Sequence, residues 1–381
     1  MKYLALGAVA LTALAGNVYA AGPLFAESAP YGPIALFLTG NVGVRYDDNI
    51  QLGDGIINPK VSDTIFTVVP GVEADFGKRD GGGLFSVFTY AESLERYVNS
   101  TNLNTSLASV NLTSTLAGGK TTGDFNAGYS QLTANTPVSG VPGLLRRNET
   151  HLGGHVKFTV SEISKLGLGL TYDQTDYKTA GLANSKIFTV PLNYYYIIDA
   201  KNDLSLGVRY RKTQLTAPGT DFTDYYYNIG WDGEISSKLT GNISVGLNQR
   251  KPQVGKSEAS LGLNSSLSWK ATDKTSVNLN LSNDFGSSSA GQSQRALTAG
   301  LSADTQIAAD WTGSAKVNYS STRYPGTRVD DYWSFGVSTK WTVSKIFSLT
   351  AAYDYKDNSS SIGGANSYTG NVFSLTGSVR Y

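Results

Sequence analysis

From residue 34 to residue 381 the chain repeats one pattern, segments in which apolar and polar side chains alternate with period two. Residues 371–381 show it plainly. Phe373, Leu375, Gly377, Val379 and Tyr381 fall on one side of an extended strand, and Val372, Ser374, Thr376, Ser378 and Arg380 on the other, because successive side chains point to opposite faces. At the start of the pattern, Ile34, Leu36, Leu38, Gly40, Val42, Val44 and Tyr46 oppose Ala35, Phe37, Thr39, Asn41, Gly43, Arg45 and Asp47. In the next segment Thr64, Phe66, Val68, Pro70, Val72, Ala74 and Phe76 share a face. Ile65 and Val69 on the opposite face are apolar too, so the facing of that segment stays open.

A chain of two-faced strands must give its oily face an apolar phase and its edges a partner. Short polar connections (161–164, 200–203, 236–238, 271–274, 308–310, 343–345) alternate with longer ones, the longest being 133–147 and 48–61. We count about eighteen strands, within a range of roughly 16 to 18, and an even number brings both chain ends to one face. A soluble sandwich of so many long strands would leave edges to protect and would divide into domains. No linker divides this chain. The expected fold is therefore all-β, a single transmembrane antiparallel up-and-down β-barrel with short periplasmic turns and longer external loops.

The composition agrees. The chain has 42 Gly, 23 Tyr and 14 Phe, which favour strands and turns over helices. It has no cysteine, which removes disulfides, thiolate metal sites and thiol nucleophiles. With a net charge of +1 and 16% charged residues it carries no basic excess for a nucleic-acid partner. Mean hydropathy is slightly negative, as expected where lumen-facing residues dilute lipid-facing ones. Trp231, Trp269, Trp311, Trp333 and Trp341 all take the lipid-facing parity near strand ends, where an aromatic girdle belongs.

Residues 1–20 read as a signal peptide, with a positive Met1-Lys2, an apolar run over 4–14 and small residues before a cleavage point after Ala20. Residues 21–33, with three prolines and no alternation, read as an irregular periplasmic segment, and 34–381 as the barrel.

The inward parity is polar, and a barrel this wide encloses a water-filled channel. Its charges are the candidate pore-lining residues: Arg45, Lys157, Arg209, Arg211, Arg250 and Lys316, set against Asp173, Asp224, Asp284 and Asp354. Two clusters could carry chemistry. His151 and His155 share one inward face, but side chains four apart on a strand stand about 13 Å apart, too far to cooperate directly. Asp47-Asp48-Asn49 offers oxygens to Ca²⁺, although such a run is more often a solvated loop entry. No catalytic residue, metal or cofactor is expected.

Two resemblances add to this. A terminal amphipathic strand ending on an aromatic resembles the assembly signal of outer-membrane barrels, here Phe373, Leu375, Val379 and Tyr381, which implies recognition by the barrel assembly machinery and closure against the first strand. The run from Val42 through Tyr46, Asp47, Asp48 and Asn49 to Ile50, with the aromatic hairpins after it, resembles the putative β-barrel porin 2 family. That likeness implies residence in the outer membrane of a Gram-negative bacterium, surrounded by its lipid, and a link to exopolysaccharide production. Two functions compete, a conduit for hydrophilic solutes or polysaccharide and a structural or adhesive anchor. Loops of at most about 15 residues favour the conduit.

Overall fold

Backbone N–H and C=O groups have no water to bond in a hydrocarbon layer, so a sheet that crosses one must close on itself. This chain does so. The computed structural model describes residues 25–29, 32–78, 82–134, 143–326, 328–363 and 366–381, and the signal peptide expected at 1–20 lies outside the described residues. A short strand β1 (Phe25–Ala29) precedes eighteen wall strands. They are β2 (Gly32–Asp47), β3 (Asp63–Phe76), β4 (Gly83–Tyr97), β5 (Thr105–Ala117), β6 (Thr121–Ala134), β7 (Leu145–Ser161), β8 (Ser164–Tyr177), β9 (Ser185–Ile197) and β10 (Asn202–Leu215). The second half adds β11 (Phe222–Ser236), β12 (Leu239–Pro252), β13 (Glu258–Lys270), β14 (Thr275–Ser287), β15 (Ser293–Gln306), β16 (Trp311–Arg323), β17 (Val329–Thr342), β18 (Phe347–Ser360) and β19 (Tyr368–Arg380). Each pairs antiparallel with the next, and β19 pairs with β2 from Val372↔Asp47 to Arg380↔Thr39. Leu38 and Tyr381 then exchange two backbone hydrogen bonds of 2.7 and 2.9 Å.

The segment expected to be irregular differs from that reading. β1 pairs with the start of β2, from Phe25↔Leu36 to Ala29↔Gly32, on the edge that β19 leaves free once it has ended. The edge of β2 needs a partner beyond residue 38, and the preceding chain supplies it.

Connections on the side of Tyr381 are short, as at 162–163 and 237–238, whereas those on the opposite side run from five residues (253–257) to fifteen (48–62). Outward side chains form an apolar belt, with Val42, Leu206, Ile229 and Leu261 each more than 60% exposed. Trp269, Trp311, Trp333 and Trp341 are exposed on this face, and Trp231 takes the same parity half-buried. Trp311 and Trp341 stack at 5.8 Å near the short turns, while Trp333 leans on Tyr319 at 4.5 Å near the loops.

The facing of β3 is now fixed, because Phe66, Val68 and Phe76 are exposed outside and Ile65 is fully buried inside. Ile65 is apolar for a local reason. Loop 48–62 brings Ile50 onto Ile65 and Tyr97, a small core at the barrel mouth.

Candidate functional site in the lumen

The wall is not continuous everywhere. β13 and β14 are paired only from Leu263↔Asn283 to Lys270↔Ser276, yet β14 runs on to Ser287 in register with β15. Over that stretch β13 keeps its other neighbour, β12. The loop-side end of the β14–β15 hairpin thus leaves the wall, and the carbonyls it takes with it need new donors. Inward side chains of β10 and β12 supply them. Asn248 Nδ2 donates to Asn283 O at 3.1 Å, Arg211 Nη2 to Phe285 O at 2.7 Å, and Arg250 Nη1 to Gly286 O at 2.5 Å. Donors that point into the lumen fix the direction of the fold: the hairpin bends inward.

Charge holds it there. Asp224 on β11 is gripped by both Arg250 and Arg211, and Arg211 reaches on to Asp284 of β14 at 3.0 Å. Arg209 binds the same Asp284 at 2.9 Å. The ladder therefore links β10, β11 and β12 to β14 through three cations and two anions. Arg250 also lies between the rings of Phe222 and Phe285, 4.5 and 4.9 Å from their centroids. Phe285 has the outward parity of its strand yet is buried, as expected where both faces of the hairpin meet protein.

The hairpin tip crosses to the loops that follow β8 and β10. Ala183 N donates to Ser289 O at 2.7 Å, and Gly219 meets Gly291 so closely that a Cβ on Gly291 would overlap the Gly219 backbone. Gly291 also has φ +76°, a second reason for glycine there. Ser288 and Ser289 are buried in this contact. The mouth is narrowed by the chain's own hairpin.

Farther from that hairpin the inward charges stand partly exposed and in pairs. Lys157 meets Asp232 at 2.7 Å, with its ammonium 4.1 Å above the Tyr195 ring. Lys316 reaches Asp354 at 2.8 Å across β17, where Gly336 lies between them and any Cβ would overlap both side chains. Arg45 lies 3.7 Å from Glu95. His151 contacts Asp173 and Asn126, and His155 contacts Asp124 at 3.2 Å.

The ten candidate pore-lining residues thus fall into two environments. Arg45, Lys157, Lys316 and Asp354 keep part of their side chains accessible, whereas Arg211, Asp224, Arg250 and Asp284 are covered by the hairpin, with Arg209 beside them and Asp173 buried against His151. Sequence reasoning placed Asn248 on the inward face but missed Asp232 and Glu95, and it missed the hairpin itself. The run of small residues over 286–291 was the available signal.

Asp47, Asp48 and Asn49 tie the mouth together. Asp47 pairs with Lys356 at 3.3 Å, Asp48 accepts from the backbone and side-chain nitrogens of Asn371, and Asn49 bonds Gly53 and Thr369 O. Their oxygens serve the closing seam, and no group of three or more metal-binding side chains occurs among the described residues. In loop 324–328 the guanidinium of Arg328 covers the Tyr324 ring at 4.4 Å and pairs with Asp330, and burial pushes the Tyr324 phenol up.

A closed 18-strand barrel with an apolar belt and a charged, partly occluded lumen defines an outer-membrane β-barrel, resident in the bacterial outer membrane. Over residues 220–381, which carry β11 to β19, the chain matches the family described as Putative beta-barrel porin 2. No curated protein matches it. Among solved structures it is similar to Pseudomonas aeruginosa OccK2 (OpdF) in complex with glucuronate, with a TM-score of 0.50, 10% identity, and coverage of 91% of this chain and 98% of that one. P. aeruginosa OpdK with vanillate gives a TM-score of 0.48 and 11% identity, covering 91% and 99%. At such identities the likeness is one of fold.

Proposed function

We propose that the protein is a conduit for hydrophilic solutes across the outer membrane, and that a polyhydroxylated polymer being exported is the cargo to test first. The observation that carries this reading is the inward face, where accessible charges of both signs sit in pairs among Ser, Thr and Asn and the mouth narrows at one built element, the β14–β15 hairpin. A solute that sheds water there meets replacement donors and acceptors, while paired charges hold it weakly enough to let it leave. OccK2, similar in fold, was solved in complex with glucuronate, a small carboxylated ligand. Short external loops favour a conduit over an adhesive anchor. In this reading residues 1–20 are a leader removed on export, the accessible inward charges line the path, and the assembly machinery reads Phe373, Leu375, Val379 and Tyr381.

Planar-bilayer recording of the purified barrel tests it. Steady open-channel current supports a conduit, and concentration-dependent block by the producing organism's polysaccharide supports export. Current indifferent to every oligosaccharide would leave a general porin. No current through a barrel shown to be folded would overturn the conduit in favour of the anchor.

A further inference from the structure

The chain has two histidines, and both lie on the inward face of β7 with their side chains 42% and 49% exposed. Each meets a carboxylate from a different neighbour, His151 from Asp173 on β8 and His155 from Asp124 on β6. The space is built for the rings. A Cβ on Gly153 would crowd Nε2 of His151, and one on Gly169 would overlap the His155 ring.

We propose that His151 and His155 set the charge preference of the lumen, so that protonating them turns a cation-favouring stretch of wall into one that admits anionic solutes. The inference rests on the conduit reading above. Besides Asp124 and Asp173, the same face of β7 carries Arg147 paired with Glu149, and Lys157, which Asp232 neutralises. On β8, Lys165 is neutralised by Asp203. Tyr195, beneath Lys157, carries a phenol, and phenols ordinarily ionise well above the histidine range. The ion pairs cancel and leave the charge of Asp124 and Asp173 to the imidazoles alone. With neutral rings this patch, counted from those residues, is two charges negative, five carboxylates against three cations. With both rings protonated it is neutral. Imidazole is the side chain that changes charge between about pH 5 and 8, so no other group named here turns over in that window.

The test is the reversal potential in a KCl gradient at about pH 8 and about pH 5.5, for the wild-type barrel and for His151→Gln/His155→Gln. Heat-modifiable migration verifies that each is folded. On acidification the wild-type cation-to-anion permeability ratio falls by about twofold or more, while the double variant stays near the wild-type value at high pH. Steady current with a reversal potential indifferent to pH, or a double variant that shifts as much as wild type, overturns the inference and leaves the conduit standing. A folded barrel that passes no current at either pH overturns both.

Discussion

Arg250 and Asp224 are joined by two hydrogen bonds of 2.7 and 2.8 Å, Nε to Oδ1 and Nη2 to Oδ2, with each residue 1% exposed. The same guanidinium donates to Gly286 O, so one side chain holds both the ladder and the hairpin that narrows the mouth. Arg250→Ala leaves Asp224 with Arg211 alone and costs about 3–5 kcal/mol of the contacts that hold the hairpin in. The expected result is higher and noisier single-channel conductance. Arg250→Lys, which lacks the planar fork, should fall between wild type and Ala. Unchanged conductance in Arg250→Ala would show that the hairpin is held in by other contacts.

The absence of cysteine permits a clean lock. Ala183 and Ser289 are buried and joined by a 2.7 Å backbone hydrogen bond, and Ala183→Cys with Ser289→Cys places thiols on both sides of it. In the Arg250→Ala background, oxidation is expected to bring conductance back toward wild type, and a reductant to raise it again. Conductance that stays high after the cross-link has formed would mean that the hairpin is not the narrow point.

Facing at the closing strand is testable by charge. Phe373 and Leu375 are 52% and 44% exposed on the outer surface, and Ser374 lies between them opposite Arg45. An aspartate at either outer site costs roughly 2 kcal/mol in hydrocarbon, whereas Ser374→Asp faces water and an arginine. Steady-state levels of folded barrel should drop for Phe373→Asp, Leu375→Asp and removal of Tyr381, and hold for Ser374→Asp.

Loop 48–62 carries a pH dependence of known sign. Asp54 Oδ1 accepts from the amides of Asn58, Ile56 and Ile57 at 2.8 to 2.9 Å, which holds its carboxyl below the ordinary 3.8. A depressed acid contributes order that is present above the unfolded value and lost as pH falls through the folded one. The amide resonances of residues 56–58 should therefore stay in place down to pH 3.8 and move together below it, and Asp54→Asn should abolish the transition.

Period-two alternation revealed the strand count, the closure and the facing of nearly every strand, because lipid and lumen impose opposite demands on adjacent residues. It could not show depth of cover. Arg211 and Lys316 have the same parity and chemistry, yet one is buried beneath a hairpin and the other half-exposed, and that difference depends on a neighbour far along the chain. Ile65 misled in the opposite sense, since an apolar inward residue reflects a loop packed on it. The bend of β14 left only Gly286 to Gly291, small residues that would suit any loop.

β1 has a consequence for how the barrel closes. Shifting β19 by one residue along β2 would turn its oily face inward, so alternation forbids it. A shift by two keeps every side chain on its proper face, and alternation is blind to it. With Phe25 opposite Leu36 and Tyr381 opposite Leu38, β19 cannot slide two residues toward the start of β2 without entering the place that β1 fills. β1 thus serves as a stop for β19, and the circumference closes at a fixed stagger in that direction.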